Sequence, residues 1–158
     1  MIIARLATVR VTDSLDCSVH EAETCWYDVA RWHQWVDGLA RVVALEGDWP
    51  RPGARVTWES GPAGRGRVTE RVTEYEPLVG QTVEVEDDSI MGTQRVELEP
   101  AQNGVRIELT LSYSIKRRSP LTPLVDLFFV RRPMAISLTK TIQRFGLALA
   151  DSREPSVG

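Results

Sequence analysis

A single long helical stretch closes a chain that otherwise reads as strands and turns, and this limits the fold more than any other feature. Over residues 121–150 apolar residues fall at Leu121, Leu124, Val125, Phe128, Ala135, Leu138, Ile142, Phe145 and Leu149. Steps of three and four trace one side of an α-helix. A helix of this length must cover the face of a sheet, and a helix laid over a curved antiparallel sheet leaves room for a hollow between the layers. Pro133 lacks a backbone donor and crowds the turn before it. A kink or break is therefore expected over residues 131–134, with a regular helix over 134–150. Pro120 and Pro123 suit a helix start, and residues 151–158 are expected to fray.

The preceding chain supplies the sheet. Val9, Val11 and Leu15 alternate with Arg10, Thr12 and Ser14, which marks a half-buried strand over residues 8–17. Ser18 and Glu21 have the spacing of a capping box. Behind them Val19, Ala22, Trp26 and Val29 recur at helical steps, and a second short helical piece is expected over residues 31–36, ended by Asp37-Gly38. Strands are then expected over 39–46, 54–60, 65–76, 81–86, 90–99 and from 105 onward. Asn103-Gly104 is the strongest hairpin signal, because both residues tolerate the positive φ of a type I′ turn. The strand after it alternates Val105, Ile107, Leu109, Leu111, Tyr113 and Ile115 with polar residues, so one face is core and the other is wet. The order is strand, two short helices, six strands, long helix.

One domain is expected over residues 1–158, with its core over about 8–150. A net charge of −3 and a pI near 5.5 speak against a broad nucleic-acid surface. The basic clusters Lys116, Arg117, Arg118 and Arg131, Arg132 read as solvated ends of a strand and a helix, with transient membrane contact as the alternative. Residues 1–6 hold no signal-peptide pattern and no stretch is apolar enough for a membrane span. Cys17 and Cys25 are expected to be buried free thiols in a reducing cytoplasm. No His, Cys, Asp or Glu spacing suits a metal, and no cofactor is expected.

The order of elements, the segment Asp28-Val29-Ala30-Arg31-Trp32-His33-Gln34-Trp35-Val36, Gly53 after a turn and Tyr75-Glu76-Pro77 after a strand resemble the polyketide cyclase/dehydrase and lipid-transport family. That family belongs to the START-like, helix-grip (SRPBCC) superfamily. The resemblance implies an α+β helix-grip fold, a seven-stranded curved antiparallel sheet wrapped around the C-terminal helix over a cavity for an apolar molecule. Fold alone does not imply activity.

Ligand-facing candidates follow from the apolar rows. Trp32 and Trp35 lie three apart and share a helix face, either plugging the sheet's end or gating its mouth. Val56 and Trp58, then Gln94 and Val96, then Leu109, Leu111 and Tyr113 lie on inward rows of three strands. From the helix come Leu124, Phe128, Phe129 and Leu138, of which Leu124, Phe128 and Phe129 are expected to move on ligand entry. The strand over 65–76 is ambiguous. Counting from Val68 and Val72 turns Glu70 and Glu74 inward, whereas counting from Tyr75 turns Arg67, Thr69 and Arg71 inward. A β-bulge reconciles Val72 with Tyr75.

Three readings of function follow. The first is binding or carriage of a small hydrophobic ligand such as a lipid, an isoprenoid or a polyketide-like molecule. The second is an aromatase/cyclase closing rings by aldol chemistry. It would draw donors from Tyr113, Arg71, Gln94 and His33, with Glu70 as base. The third is a protein-interaction module without ligand. Monomer and homodimer both remain open.

Overall fold

The inner row of the last strand is sealed from water, with Ile107, Leu109, Leu111 and Tyr113 all at 0% exposure. The computed structural model describes residues 6–116 and 126–153. Seven antiparallel strands form one sheet in the order β1-β7-β6-β5-β4-β3-β2. They are β1 (Ala7–Leu15), β2 (Leu39–Glu46), β3 (Arg55–Ser60), β4 (Arg67–Glu76), β5 (Gly80–Glu86), β6 (Ile90–Ala101) and β7 (Gly104–Ile115). Strands β2 to β7 pair as sequence neighbours, as short connections dictate. Strand β1, cut off from β2 by the helical insertion, pairs along its full length with β7, from Ala7 opposite Tyr113 to Leu15 opposite Val105.

The capping box predicted at Ser18 is present: Glu21 N donates to Ser18 Oγ at 3.1 Å and Ser18 N donates to Glu21 Oε1 at 3.3 Å. It starts α1 (Val19–Trp26), which buries Ala22, Cys25 and Trp26. The second helical piece is a 3-10 helix over Val29–Gln34, so it begins two residues earlier than expected. Residues three apart eclipse in this geometry, and Trp32 and its flanking neighbour Trp35 both turn into the core at 5% and 1% exposure. Cys17 and Cys25 are both buried.

The β6–β7 turn departs from expectation. Ala101 pairs directly with Gly104, so the residues between β6 and β7 are Gln102 and Asn103, and neither has positive φ. Glycine is required at 104 on two counts: its φ is +157°, and a Cβ there would lie 2.0 Å from the Leu15 carbonyl oxygen. In β4 the bulge falls between Val72 and Glu74, where Val72 faces Val83 but Glu74 faces Thr82. Val68, Glu70 and Val72 therefore point inward before it and Tyr75 after it, while Arg67 and Arg71 point outward.

In the described part of the C-terminal segment, a π-helix over Asp126–Arg131 continues as α2 (Arg132–Arg153). The change falls beside Pro133, within the region predicted to break. The helix runs on through residue 153, past the point where fraying was expected. Met134, Leu138, Thr141, Ile142, Phe145 and Leu149 form its buried stripe, whereas Ala135 is only half-buried. The Phe145 ring meets Trp26 edge-on at 5.0 Å and Trp35 at 5.2 Å, joining α2 to the helical insertion. Pro120, Leu121, Pro123, Leu124 and Val125 lie outside the described residues, as does the Phe128 side chain. Phe129 is 75% exposed, which corrects its assignment as a cavity residue. Among the basic clusters, Lys116 pairs with Glu86 at 2.6 Å and Arg131 with Asp126 at 3.4 Å. Arg117 and Arg118 lie outside the described residues.

Candidate functional site

Where α2 crosses the inner face of the sheet, a small cavity of about 50 Å³ remains. Each layer supplies part of its wall. Trp26 closes it from α1, and Trp32, Trp35, Val36 and Asp37 from the 3-10 helix and the turn after it. Trp58, Glu70, Gln81, Val83, Gln94, Val96 and Leu109 come from five adjacent strands. Ser137, Leu138 and Thr141 come from one face of α2, and Arg65 enters from the loop before β4. The site therefore exists only when sheet, insertion and helix are all assembled.

A run of polar contacts crosses its floor. Trp58 Nε1 donates to Glu70 Oε2 at 2.7 Å. Burial pushes the Glu70 carboxyl above its ordinary value, and the Trp58 hydrogen bond and the nearby Arg65 charge oppose that only in part. Arg65 Nε donates to Asp87 Oδ2 at 2.7 Å, and its guanidinium carbon sits 5.7 Å from the centre of the Trp58 ring. The other Asp87 oxygen accepts from Ser89 N at 2.8 Å and Ile90 N at 2.9 Å, so this acid also shapes the β5–β6 turn. Gln81 Nε2 donates to the Pro50 carbonyl at 3.0 Å. Two buried donors on cavity residues, Arg65 Nη2 and Trp35 Nε1, have no hydrogen-bond partner.

The rim is latched by Asp37. Ser137 Oγ donates to Asp37 Oδ2 at 2.8 Å, Arg144 pairs with Asp37 Oδ1 at 2.9 Å, and Asp37 N donates to Thr141 Oγ1 at 2.9 Å. One residue after the 3-10 helix thus ties three turns of α2 across the cavity.

Of the residues proposed from sequence, Trp32, Trp35, Trp58, Gln94, Val96, Leu109, Leu138 and Glu70 come together at this wall. Val56, Leu111 and Tyr113 occupy inner rows but pack into the core instead. The Tyr113 hydroxyl donates to Asp126 of the π-helical segment. Burial and then the neighbouring carboxylate push this phenol well above its ordinary value. Two donors assigned to the cavity are corrected. Arg71 lies on the outer face, half-exposed and paired with Glu84 at 2.8 Å, because the bulge comes after it. His33 is exposed, with Nδ1 3.1 Å from the Ala30 carbonyl, because the 3-10 helix turns it away from Trp32 and Trp35.

Arg65, Asp37, Gln81, Ser137 and Thr141 were not anticipated. Arg65 sits in a glycine-rich loop without periodicity, so nothing local signalled its direction. Thr141 could have been found, since it lies three residues after Leu138 on the same helix stripe. Among the described residues no group of acids, histidines and cysteines could hold a metal ion. None of their helices is long and apolar enough to cross a membrane.

A family model described as polyketide cyclase / dehydrase and lipid transport matches residues 7–150. No curated protein matches the chain. Among solved structures, the protein TTHA0849 from Thermus thermophilus is 17% identical with a TM-score of 0.73, over 94% of this chain and 100% of that one. SA2116 from Staphylococcus aureus, described as of unknown function, is 11% identical with a TM-score of 0.74, over 94% and 96%. A point mutant of norcoclaurine synthase from Thalictrum flavum, in complex with a transition-state analogue, is 8% identical with a TM-score of 0.72, over 98% and 100%. At these identities the structural likeness shows a common fold.

Proposed function

The chain belongs to the polyketide cyclase / dehydrase and lipid transport family, and from that membership we propose that it takes up a small, mainly apolar molecule between its sheet and α2. The observation that carries this reading is the cavity itself: four tryptophans line a space whose wall also includes Glu70 and Gln94. Apolar walls with a few placed polar groups are the usual make-up of a small-molecule site.

Size adds a condition. About 50 Å³ holds roughly one or two water molecules, far below the roughly 300 Å³ at which ligand pockets begin. Uptake therefore requires α2 and the π-helical segment to move away from the sheet, and the closed form described above competes with ligand. Apparent affinity is then lowered by the fraction of molecules that are closed. The wall residues Trp32, Trp35, Trp58, Gln94, Val96, Leu109 and Leu138 are the contacts proposed for the bound molecule. The unit is read as one domain acting in the cytoplasm, where Cys17 and Cys25 would stay reduced, with transient membrane contact for loading. Native mass spectrometry and displacement of an apolar fluorophore test this reading. Absence of any uptake across hydrocarbon, ketone and acid probes would sink it.

A second reading, ring closure of a polyketide-like chain, is favoured by Glu70. A buried carboxyl pushed toward higher pKa beside a cavity is suited to moving a proton. In this reading Glu70 accepts the proton from a carbon next to a ketone, and Gln94 donates to the ketone oxygen. Glu70→Gln should then abolish turnover while leaving binding within about three-fold. Equal turnover in wild type and Glu70→Gln would remove Glu70 from the chemistry.

A further inference from the structure

Two residues of the cavity wall each carry a buried donor that no described group satisfies. Trp35 is 1% exposed and its Nε1–H has no partner, and Arg65 Nη2 is likewise buried without one. Trp32, by contrast, gives its indole N–H to the Trp26 carbonyl at 2.9 Å, and Trp58 gives its own to Glu70 at 2.7 Å. Leaving a buried donor unmade is unfavourable, and an oxygen brought into the cavity would relieve it.

Charge decides what kind of oxygen. The Arg65 cation already faces the Asp87 carboxylate at 2.7 Å, and Asp37 faces Arg144 at 2.9 Å. Glu70 is the remaining acid at the wall, 8% exposed and held by the Trp58 indole rather than by a cation in direct contact. Among the described residues, no positive charge at the wall is therefore without a carboxylate partner, and an incoming carboxylate would sit in a low-dielectric space beside existing acids. An ammonium cannot accept from Trp35 or Arg65, and Glu70, pushed toward its neutral form by burial, is a poor counter-ion for it. A neutral carbonyl needs no counter-charge and accepts two hydrogen bonds through its lone pairs.

We infer that the ligand is an uncharged amphiphile inserted head first, with a ketone, aldehyde or ester carbonyl accepting from Trp35 Nε1 and Arg65 Nη2. The inference rests on the apolar-ligand reading above and specifies its polar end. The head alone matches the present volume of about 50 Å³. The tail is what forces α2 outward.

Four probes of equal chain length separate the outcomes: decane, 2-decanone, decanoate and decylamine, each measured on the full chain by fluorophore displacement. The expected result is 2-decanone binding at least about ten-fold more tightly than decanoate or decylamine. Trp35→Phe keeps a ring and removes only the N–H, and it should weaken 2-decanone about five- to ten-fold while leaving decane within about two-fold. Arg65→Met keeps the packing of the stem, and Asp87 retains its two backbone donors, so a matching selective loss is expected there. Equal affinity for ketone, acid and amine, or tighter binding of either charged probe, overturns the inference and leaves the apolar-ligand reading standing. Retained ketone affinity in both variants does the same. Failure of all four probes to bind overturns both.

Discussion

Trp58 and Glu70 meet on the inner face of the sheet, the indole N–H of one held 2.7 Å from the carboxyl oxygen of the other. They sit on adjacent strands and two positions apart in the register, since Glu70 lies opposite Val56 and Trp58 opposite Val68. The contact fixes an ionisable group inside an otherwise apolar row, and it is the polar centre of the cavity.

Stability should carry the mark of this buried acid. Burial raises the Glu70 pKa above its ordinary value of 4.5 in the folded chain only. Between that value and the raised one, the folded state holds more protons than the unfolded state. Stability attributable to Glu70 therefore falls as pH rises through this window, and the penalty stays constant above it. Paired carboxylates elsewhere work in the opposite direction, so the informative quantity is the difference between wild type and Glu70→Gln. Urea midpoints for the two proteins should diverge as pH rises above the ordinary carboxylate range, with the variant gaining relative to wild type. Parallel curves would mean that Glu70 is not desolvated as described.

The Asp37 latch makes a second expectation. Its carboxylate accepts from Ser137 and pairs with Arg144, and its backbone N–H takes Thr141 Oγ1. Asp37→Ala removes the first two contacts and keeps the third. Part of the site is open to water, so a loss of about 1–2 kcal/mol is expected rather than a buried-charge penalty. If α2 must lift to admit a ligand, the same change should speed uptake and raise amide exchange across residues 134–145. Reduced stability with unchanged uptake would place the rate-limiting motion elsewhere.

Gly104→Ala meets two obstacles at once. The φ of +157° at this position is a conformation that residues with a side chain rarely adopt, and the Leu15 carbonyl oxygen lies 2.0 Å from where a Cβ would stand. Backbone must shift between the end of β1 and the start of β7, and a loss of about 1–3 kcal/mol should follow, as for other overpacked sites. Chemical denaturation measures the loss, and exchange of the amides of residues 13–15 localises it.

Legibility in the sequence followed the range of the forces involved. The capping box at Ser18, the alternation of β7 and the change of helix type beside Pro133 depend on residues a few positions apart, so local pattern was enough. The direction of Arg71 depended on where β4 bulges. Val72 and Tyr75 required a bulge, but only the pairing of Val72 with Val83 and of Glu74 with Thr82 locates it after Arg71. His33 was misassigned because a 3-10 turn and an α-turn send the residue after Trp32 in different directions. Arg65 was invisible for another reason. Its partner Asp87 is 22 positions away, in a different hairpin, and a loop arginine reads as solvated until the two hairpins are seen side by side.

Leu138→Ala should exchange stability for uptake. Leu138 is 6% exposed and stands at the boundary between the packed stripe of α2 and the cavity wall. Removing its side chain forfeits buried apolar contact and leaves a void. About 2–5 kcal/mol is the usual loss, toward the low end if neighbours relax into the space. The void here is not isolated, because it joins a cavity of about 50 Å³ that already exists. A larger pre-formed cavity needs less displacement of α2 to accept an apolar molecule, so a smaller part of the binding energy goes into opening the protein. The variant should therefore melt at lower temperature in the empty state, yet bind decane or 2-decanone more tightly and gain more in melting temperature when saturated. Leu138→Phe provides the converse. It fills the same boundary and should reduce uptake whatever it does to stability. Calorimetric melting with and without probe measures both quantities on one sample. If Leu138→Ala lost stability without any gain in affinity, the ligand would have to enter somewhere other than the space beneath α2.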